Sequence, residues 1–215
     1  MWRYKNRSEA GKQLAEHLAK KLQSEDIVVL ALPRGGVPIG YEVARRLSAP
    51  LDLVVVRKLG TPRNPEFAFG AIAEHDARHI DERTVLLSGI SIEELAAITQ
   101  DQQAELNRRL NKYCGDSERA VLRGKTVIVV DDGIATGATL KAALKSVKYQ
   151  EPKRVIVGVP VASADSTAEF RELCDEFLCP LLVEHLVSVG QWYRDFSQVE
   201  DEEVIELLKK SKDTN

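Results

Sequence analysis

Cysteine is scarce in this 215-residue chain: Cys114, Cys174 and Cys179, with no Cys-x-x-Cys spacing. That argues against a disulfide framework or a thiolate zinc site, and the odd count fits reduced thiols in a cytoplasmic setting. No apolar run approaches the roughly 20 residues that cross a bilayer, and the first twenty residues are too polar for a secretory leader, so no membrane partner is expected. Basic residues are not in excess, with 30 Lys and Arg against 33 Asp and Glu and a formal charge of −3. With no basic run either, nothing points to nucleic acid. Internal repeats and low-complexity stretches are also missing. What remains is 44% apolar and 29% charged, enough for a core under a well-solvated surface.

The length fits one α/β domain with insertions. Ser8–Leu22 has leucines at helical spacing. Short, nearly continuous apolar runs recur at Asp26–Leu32, Leu51–Val56, Thr126–Val130 and Arg154–Val161, with a weaker one at Phe177–Val183. Strands buried on both faces read this way. Helix-period segments lie between them, at Val37–Leu47, Ser91–Tyr113, Thr139–Lys148 and Ser166–Leu173. The alternation predicts a parallel sheet covered on both sides. Lys58–Asp81, with two prolines and two glycines, is too long for an ordinary connection. It predicts a mobile loop followed by a β-hairpin, and Ser91–Glu94 then predicts a capping box.

The segment Val127–Thr139 carries the most chemistry. An apolar strand ends in Asp131-Asp132, followed by Gly133, Ile134, Ala135, Thr136, Gly137, Ala138 and Thr139. Two adjacent carboxylates cannot continue into a dry core, so they belong at the strand's carboxyl end, where open α/β sheets bind ligands. Small residues let the backbone approach a ligand, and the helix that follows aims free N–H groups at an anion. The alternative is a plain helix-capping turn with solvated aspartates. A Walker loop is excluded, since Gly-Lys-Ser/Thr is missing. Leu32–Pro38 has the same strand-to-helix setting: Gly35-Gly36 permits a tight turn, and Arg34 offers five donors to a pyrophosphate.

The string VIVVDDGIATGAT at Val127–Thr139 resembles the phosphoribosyl pyrophosphate motif of type I phosphoribosyltransferases. That resemblance implies a three-layer, parallel-sheet, Rossmann-like fold with a flexible loop and hairpin insertion and a small C-terminal hood. It implies a single domain over 1–215, with a core of about 26–183, the insertion at about 58–86 and the hood at about 184–200. It implies that Asp131 and Asp132 hold ribose hydroxyls and Mg²⁺, directly or through water. Ala135, Thr136, Gly137, Ala138 and Thr139 then bind the 5-phosphate. Arg34, Gly35 and Gly36 resemble the family's pyrophosphate loop, which often carries a non-proline cis peptide. Arg57-Lys58 resembles the Arg-Lys pair of orotate enzymes, beside the alternative of solvated surface charge.

Val187–Phe196 resembles the base-binding hood of hypoxanthine enzymes, but Val187 stands where those carry a stacking aromatic. Trp192 or Tyr193 is the substitute, and a packed C-terminal anchor is the alternative. Ala135 and Ala138 replace an aspartate and a lysine of the hypoxanthine enzymes, which brings the loop closer to the adenine and orotate enzymes. The implied partners are 5-phosphoribosyl-1-pyrophosphate and a nucleobase or other nitrogenous acceptor. A donor-binding regulator or sensor is the rival reading. An exposed Trp192, Tyr193 and Phe196 would form an apolar patch, which together with the frequency of two-fold oligomers predicts a homodimer.

Overall fold

The computed structural model describes residues 3–22, 25–115, 117–135 and 137–214. In chain order the elements are α1 (Arg7–Lys21), β1 (Ile27–Ala31), α2 (Gly36–Leu47), β2 (Leu51–Leu53), β3 (Val56–Thr61) and β4 (Asn64–Ala73). Next come β5 (Arg78–Ile80), α3 (Glu82–Leu87), α4 (Ile92–Cys114), β6 (Thr126–Val130), α5 (Ala138–Tyr149) and β7 (Arg154–Gly158). The chain ends with β8 (Val161–Ser163), α6 (Ala164–Leu173), β9 (Glu176–Leu178), β10 (Leu181–Val183) and α7 (Asp201–Thr214). The fold is mixed α/β with a central parallel sheet, as the alternation predicts. Among the described residues no helix is long and apolar enough to cross a membrane.

The chain divides into two compact units. The first comprises residues 1–53, 119–136 and 150–215 and holds a five-stranded parallel sheet in the order β2-β1-β6-β7-β9. The β-branched runs IVVLA and TVIVV form β1 and β6, every residue of each buried. Neighbouring side chains on a pleated surface favour such residues when both faces are covered. From β1 the chain proceeds outward to β2, whereas β6, β7 and β9 extend the other way. The order therefore reverses between β1 and β6, where an open sheet leaves a crevice at its carboxyl edge. Leu14 and Leu18 of α1 are buried and reach towards Gly158 of β7.

Three expected strands differ in extent. Arg154–Val161 is not one strand: it breaks around Pro160, and β8 leaves the main sheet to pair in parallel with β10. Phe177–Val183 divides at Pro180 in the same way. A proline has no N–H to donate, so it interrupts a ladder. Leu51–Val56 also divides, with β2 closing at Leu53 while Val55 N–H donates to the Glu74 carboxylate at 2.9 Å.

The second unit comprises residues 54–118 and 137–149. Here Lys58–Glu66, expected as a loop, is paired backbone: β3 and β4 are antiparallel, with Thr61 opposite Asn64 across the turn. The pairing slips on either side of Gly60, and Pro65 lies in that irregular stretch, where its missing N–H breaks no regular ladder. β4 is the central strand between β3 and β5. Ala71 and Ala73 of β4 pack with Ala142 of α5. The capping box forms: Ser91 Oγ accepts from Glu94 N–H at 3.1 Å and the Glu94 carboxylate accepts from Ser91 N–H at 2.9 Å.

Candidate functional site

The two loops singled out in the sequence both start at this reversal, after β1 and β6. β1 and β6 run in register, Ala31 beside Val130, and Leu32 N–H donates to the Val130 carbonyl at 2.9 Å. The loops that follow therefore start side by side. The Pro33–Arg34 peptide is cis, the feature the resemblance attaches to this loop. The glycines are dictated by close approach: a Cβ on Gly35 would overlap the Asp132 carboxylate, and one on Gly36 would lie 2.7 Å from the Val130 carbonyl oxygen. Asp131 and Asp132 stand just past the end of β6, and Asp131 Oδ1 accepts from Asp132 N–H at 2.8 Å. Ile134, 2% exposed, ties the loop down by donating its N–H to the Val161 carbonyl at 3.0 Å.

A clasp from both ends of the chain closes on this loop. Arg7 Nε donates to Asp132 Oδ2 at 3.0 Å. The same guanidinium donates through Nη1 to the Ser197 carbonyl at 2.7 Å and lies 3.8 Å from the centre of the Phe196 ring. Tyr193 donates its hydroxyl to the Asp132 carbonyl at 2.6 Å. Burial first, then the Asp132 charge, pushes the Tyr193 phenol well above its ordinary range, so it stays a donor. Arg34, the expected pyrophosphate ligand, reaches the acidic start of α7, with Nη1 3.6 Å from Glu200 Oε2 and 3.7 Å from Asp201 Oδ1.

Sequence reasoning missed Arg7, Ser197, Glu200 and Asp201. One local signal was available for Arg7. It occupies the first turn of α1, where the helix dipole disfavours a cation, which marks it as a residue that a carboxylate partner would favour.

The remaining expected residues fall as follows. Ala135 is exposed, Thr136 lies outside the described residues, and Gly137 adopts φ of 73°, a left-handed conformation that suits glycine. Ala138 and Thr139 open α5, where the first-turn N–H groups have no partners within the helix. Arg57 and Lys58 do not end β2 as expected: they are consecutive residues of β3, so they point to opposite faces. Arg57 Nε donates to Gln102 at 2.9 Å, and burial, then Arg109, lowers its pKa. Lys58 is exposed.

Val187 is 80% exposed. Trp192 and Tyr193, 9% and 3% exposed, are packed with Tyr4, Ala10 and Val161. The expected exposed patch of Trp192, Tyr193 and Phe196 is therefore absent: the N-terminal segment covers it, because Tyr4 exchanges backbone hydrogen bonds with Trp192 and Arg194. That removes the apolar-patch argument for a homodimer. His75 binds Ser146 and stacks on Tyr149.

Among the described residues no cluster of three or more His, Cys, Asp or Glu could hold a metal. Asp131 and Asp132 supply hard oxygens from two side chains. That set fits Mg²⁺ when waters and a ligand's phosphates complete the octahedron.

A family model described as phosphoribosyl transferase domain matches residues 4–194. A Mycobacterium tuberculosis protein, whose name assigns it provisionally to the phosphoribosyl transferases, is 41% identical over 208 residues, 97% of this chain and 47% of its own length. The chain thus spans about half the length of the curated relatives it matches. A Thermus thermophilus protein of known crystal structure is 39% identical with a TM-score of 0.80, covering 97% of this chain and 98% of its own. A Neisseria gonorrhoeae protein crystallised with bound ppGpp is similar in fold, at 16% identity and a TM-score of 0.53 over 98% of both chains.

Proposed function

The chain belongs to the phosphoribosyl transferase domain family, and from that premise we propose that it transfers the 5-phosphoribosyl group of 5-phosphoribosyl-1-pyrophosphate to a nitrogenous base, releasing pyrophosphate. The carrying observation is the pair of loops that start side by side at the sheet reversal, one acidic and one with Arg34, so close that Gly35 touches Asp132. In this reading Asp131 and Asp132 hold the ribose hydroxyls. The resemblance carries the 5-phosphate to Ala135, Thr136, Gly137, Ala138 and Thr139. Arg34 and the Gly35-Gly36 backbone take the pyrophosphate. The C1–O bond breaks through an oxocarbenium-like state, the electron pair leaves with pyrophosphate, and the acceptor nitrogen forms the new bond at C1. Bound Mg²⁺ would supply charge stabilisation to the departing oxygens. Arg57 and Lys58 are carried on the resemblance alone. A role in nucleotide metabolism, a cytoplasmic setting and a homodimer belong to the same reading, the dimer resting on the frequency of two-fold assemblies.

Calorimetric titration of the donor with MgCl₂ tests this, followed by a pyrophosphate-release assay over a nucleobase panel. Asp131→Asn with Asp132→Asn is expected to abolish donor binding without loss of fold, since both lie past the strand end. Unchanged affinity in that variant overturns the reading. Val187 at the hood and a buried Trp192 leave two expected stacking positions without an exposed aromatic face. That favours, as a second reading, a donor-binding sensor. It would bind donor tightly and release no pyrophosphate with any base of the panel.

A further inference from the structure

Arg7 is held more closely than a surface arginine needs to be. Its Nε donates to Asp132 Oδ2 at 3.0 Å, its Nη1 to the Ser197 carbonyl at 2.7 Å, and its Cζ lies over the Phe196 ring, 3.8 Å from the centre. The side chains of Arg7 and Asp132 are only 11% and 16% exposed. Phe196 in turn packs against Tyr193, ring centres 5.0 Å apart, and the Tyr193 hydroxyl holds the Asp132 carbonyl. Asp132 is thus gripped at its carboxylate by one end of the chain and at its backbone by the other. Only a guanidinium can do what Arg7 does, because two N–H groups serve two acceptors in different directions while the plane stacks on an aromatic.

We propose that Arg7 is a positioning residue for the donor site, acting through Asp132. The proposal rests on the reading that the acidic pair holds the ribose. Two consequences follow from the contacts. Held from one oxygen, the Asp132 carboxylate meets the sugar already oriented, so its rotamer freedom is not lost on binding. The positive charge also offsets the two carboxylates that a polyanionic donor must approach. Placing this function on Arg7 explains a cation kept at the unfavourable end of a helix dipole.

The test is a double-mutant cycle on donor binding, read by calorimetry with 5-phosphoribosyl-1-pyrophosphate and MgCl₂, with thermal melts beside it. The variants are R7M, R7K, D132N and R7M/D132N. R7M and R7K are each expected to weaken donor binding by about ten- to a hundredfold. R7K is expected to keep close to the wild-type melting temperature, since it keeps the charge and the aliphatic stem, while failing to restore affinity. The double variant is expected to bind no more weakly than D132N alone, because Arg7 then has no carboxylate left to orient for the sugar. Losses that multiply in the double variant, or unchanged affinity in R7M and R7K, overturn the proposal and leave Arg7 a structural clasp. The donor-site reading fails in a different way, through D132N binding donor as the wild type does.

Discussion

At the scale of single residues, placement that depends on neighbours in sequence was legible and placement that depends on distant partners was not. The string from Asp131 to Thr139 announced itself because an acidic pair, small residues and a helix start follow one another directly. Arg34-Gly35-Gly36 was legible for the same reason. Arg7 was not, since its partner Asp132 lies 125 positions away and no periodicity links them. Gly35 shows how close the two loops come. A single methyl there would collide with the Asp132 carboxylate, which would have to shift against its hydrogen bond from Arg7. Gly35→Ala is therefore expected to weaken donor binding at least tenfold and to destabilise the fold by about 1–3 kcal/mol, the usual range for overpacking. Calorimetry and urea unfolding measure the two effects. A variant that binds and melts as the wild type does would show that the loops are not held at this distance.

Among the elements, the five helices read from the sequence were legible nearly to their ends because their stops are chemical, whereas α3 and α7 were not read at all. Asn6 caps α1 by accepting from Glu9 N–H at 3.0 Å, and Ser91 with Glu94 closes the box predicted for α4. Strands were legible as apolar runs, but not in their partners. Hydropathy cannot say that β8 leaves the sheet of β7, because the apolar run continues from β7 through Val159 and Pro160 into β8. The β3–β4 hairpin was hidden because Gly60 and Pro65 read as loop residues, whereas in a slipped register they are tolerated within strands. The capping box can be weighed. Only Leu106 and Tyr113 of the 23-residue α4 are fully buried, so packing secures its C-terminal half and the cap must secure the other. Ser91→Ala is expected to cost about 1 kcal/mol. Amide hydrogen exchange should quicken in the first turns of α4 and stay unchanged near Leu106. Uniform protection before and after the substitution would mean that the cap is idle.

On the scale of the whole chain, the aromatic cluster after the last strand was the hardest feature to read, because its partner is the other end of the sequence. Tyr4 forms an isolated parallel bridge with Tyr193, its N–H donates to the Trp192 carbonyl at 2.9 Å, and its carbonyl accepts from Arg194 N–H at 2.8 Å. Its ring lies 5.5 Å from that of Tyr193, and its hydroxyl donates to the Pro160 carbonyl at 2.9 Å. Tyr4 is 0% exposed, and burial raises its phenol above the ordinary range, which favours the protonated hydroxyl as a donor. The cluster therefore serves as the lock that brings Arg7 and Tyr193 onto Asp132. Two substitutions separate the parts of that lock. Tyr4→Phe removes one buried hydrogen bond and leaves the Pro160 carbonyl without it, an expected cost of about 1–2 kcal/mol. Tyr4→Ala also empties the space of a ring, and about 3–5 kcal/mol is expected by analogy with other aromatic truncations. As that space opens beside Trp192, the indole emission should shift to the red in Tyr4→Ala and hold in Tyr4→Phe. Because the same contacts position Arg7, Tyr4→Ala should also lose donor affinity even at temperatures where it is fully folded. Equal stability of the two variants would place the energy of the lock in the hydroxyl alone. Wild-type donor affinity in folded Tyr4→Ala would detach the lock from the site.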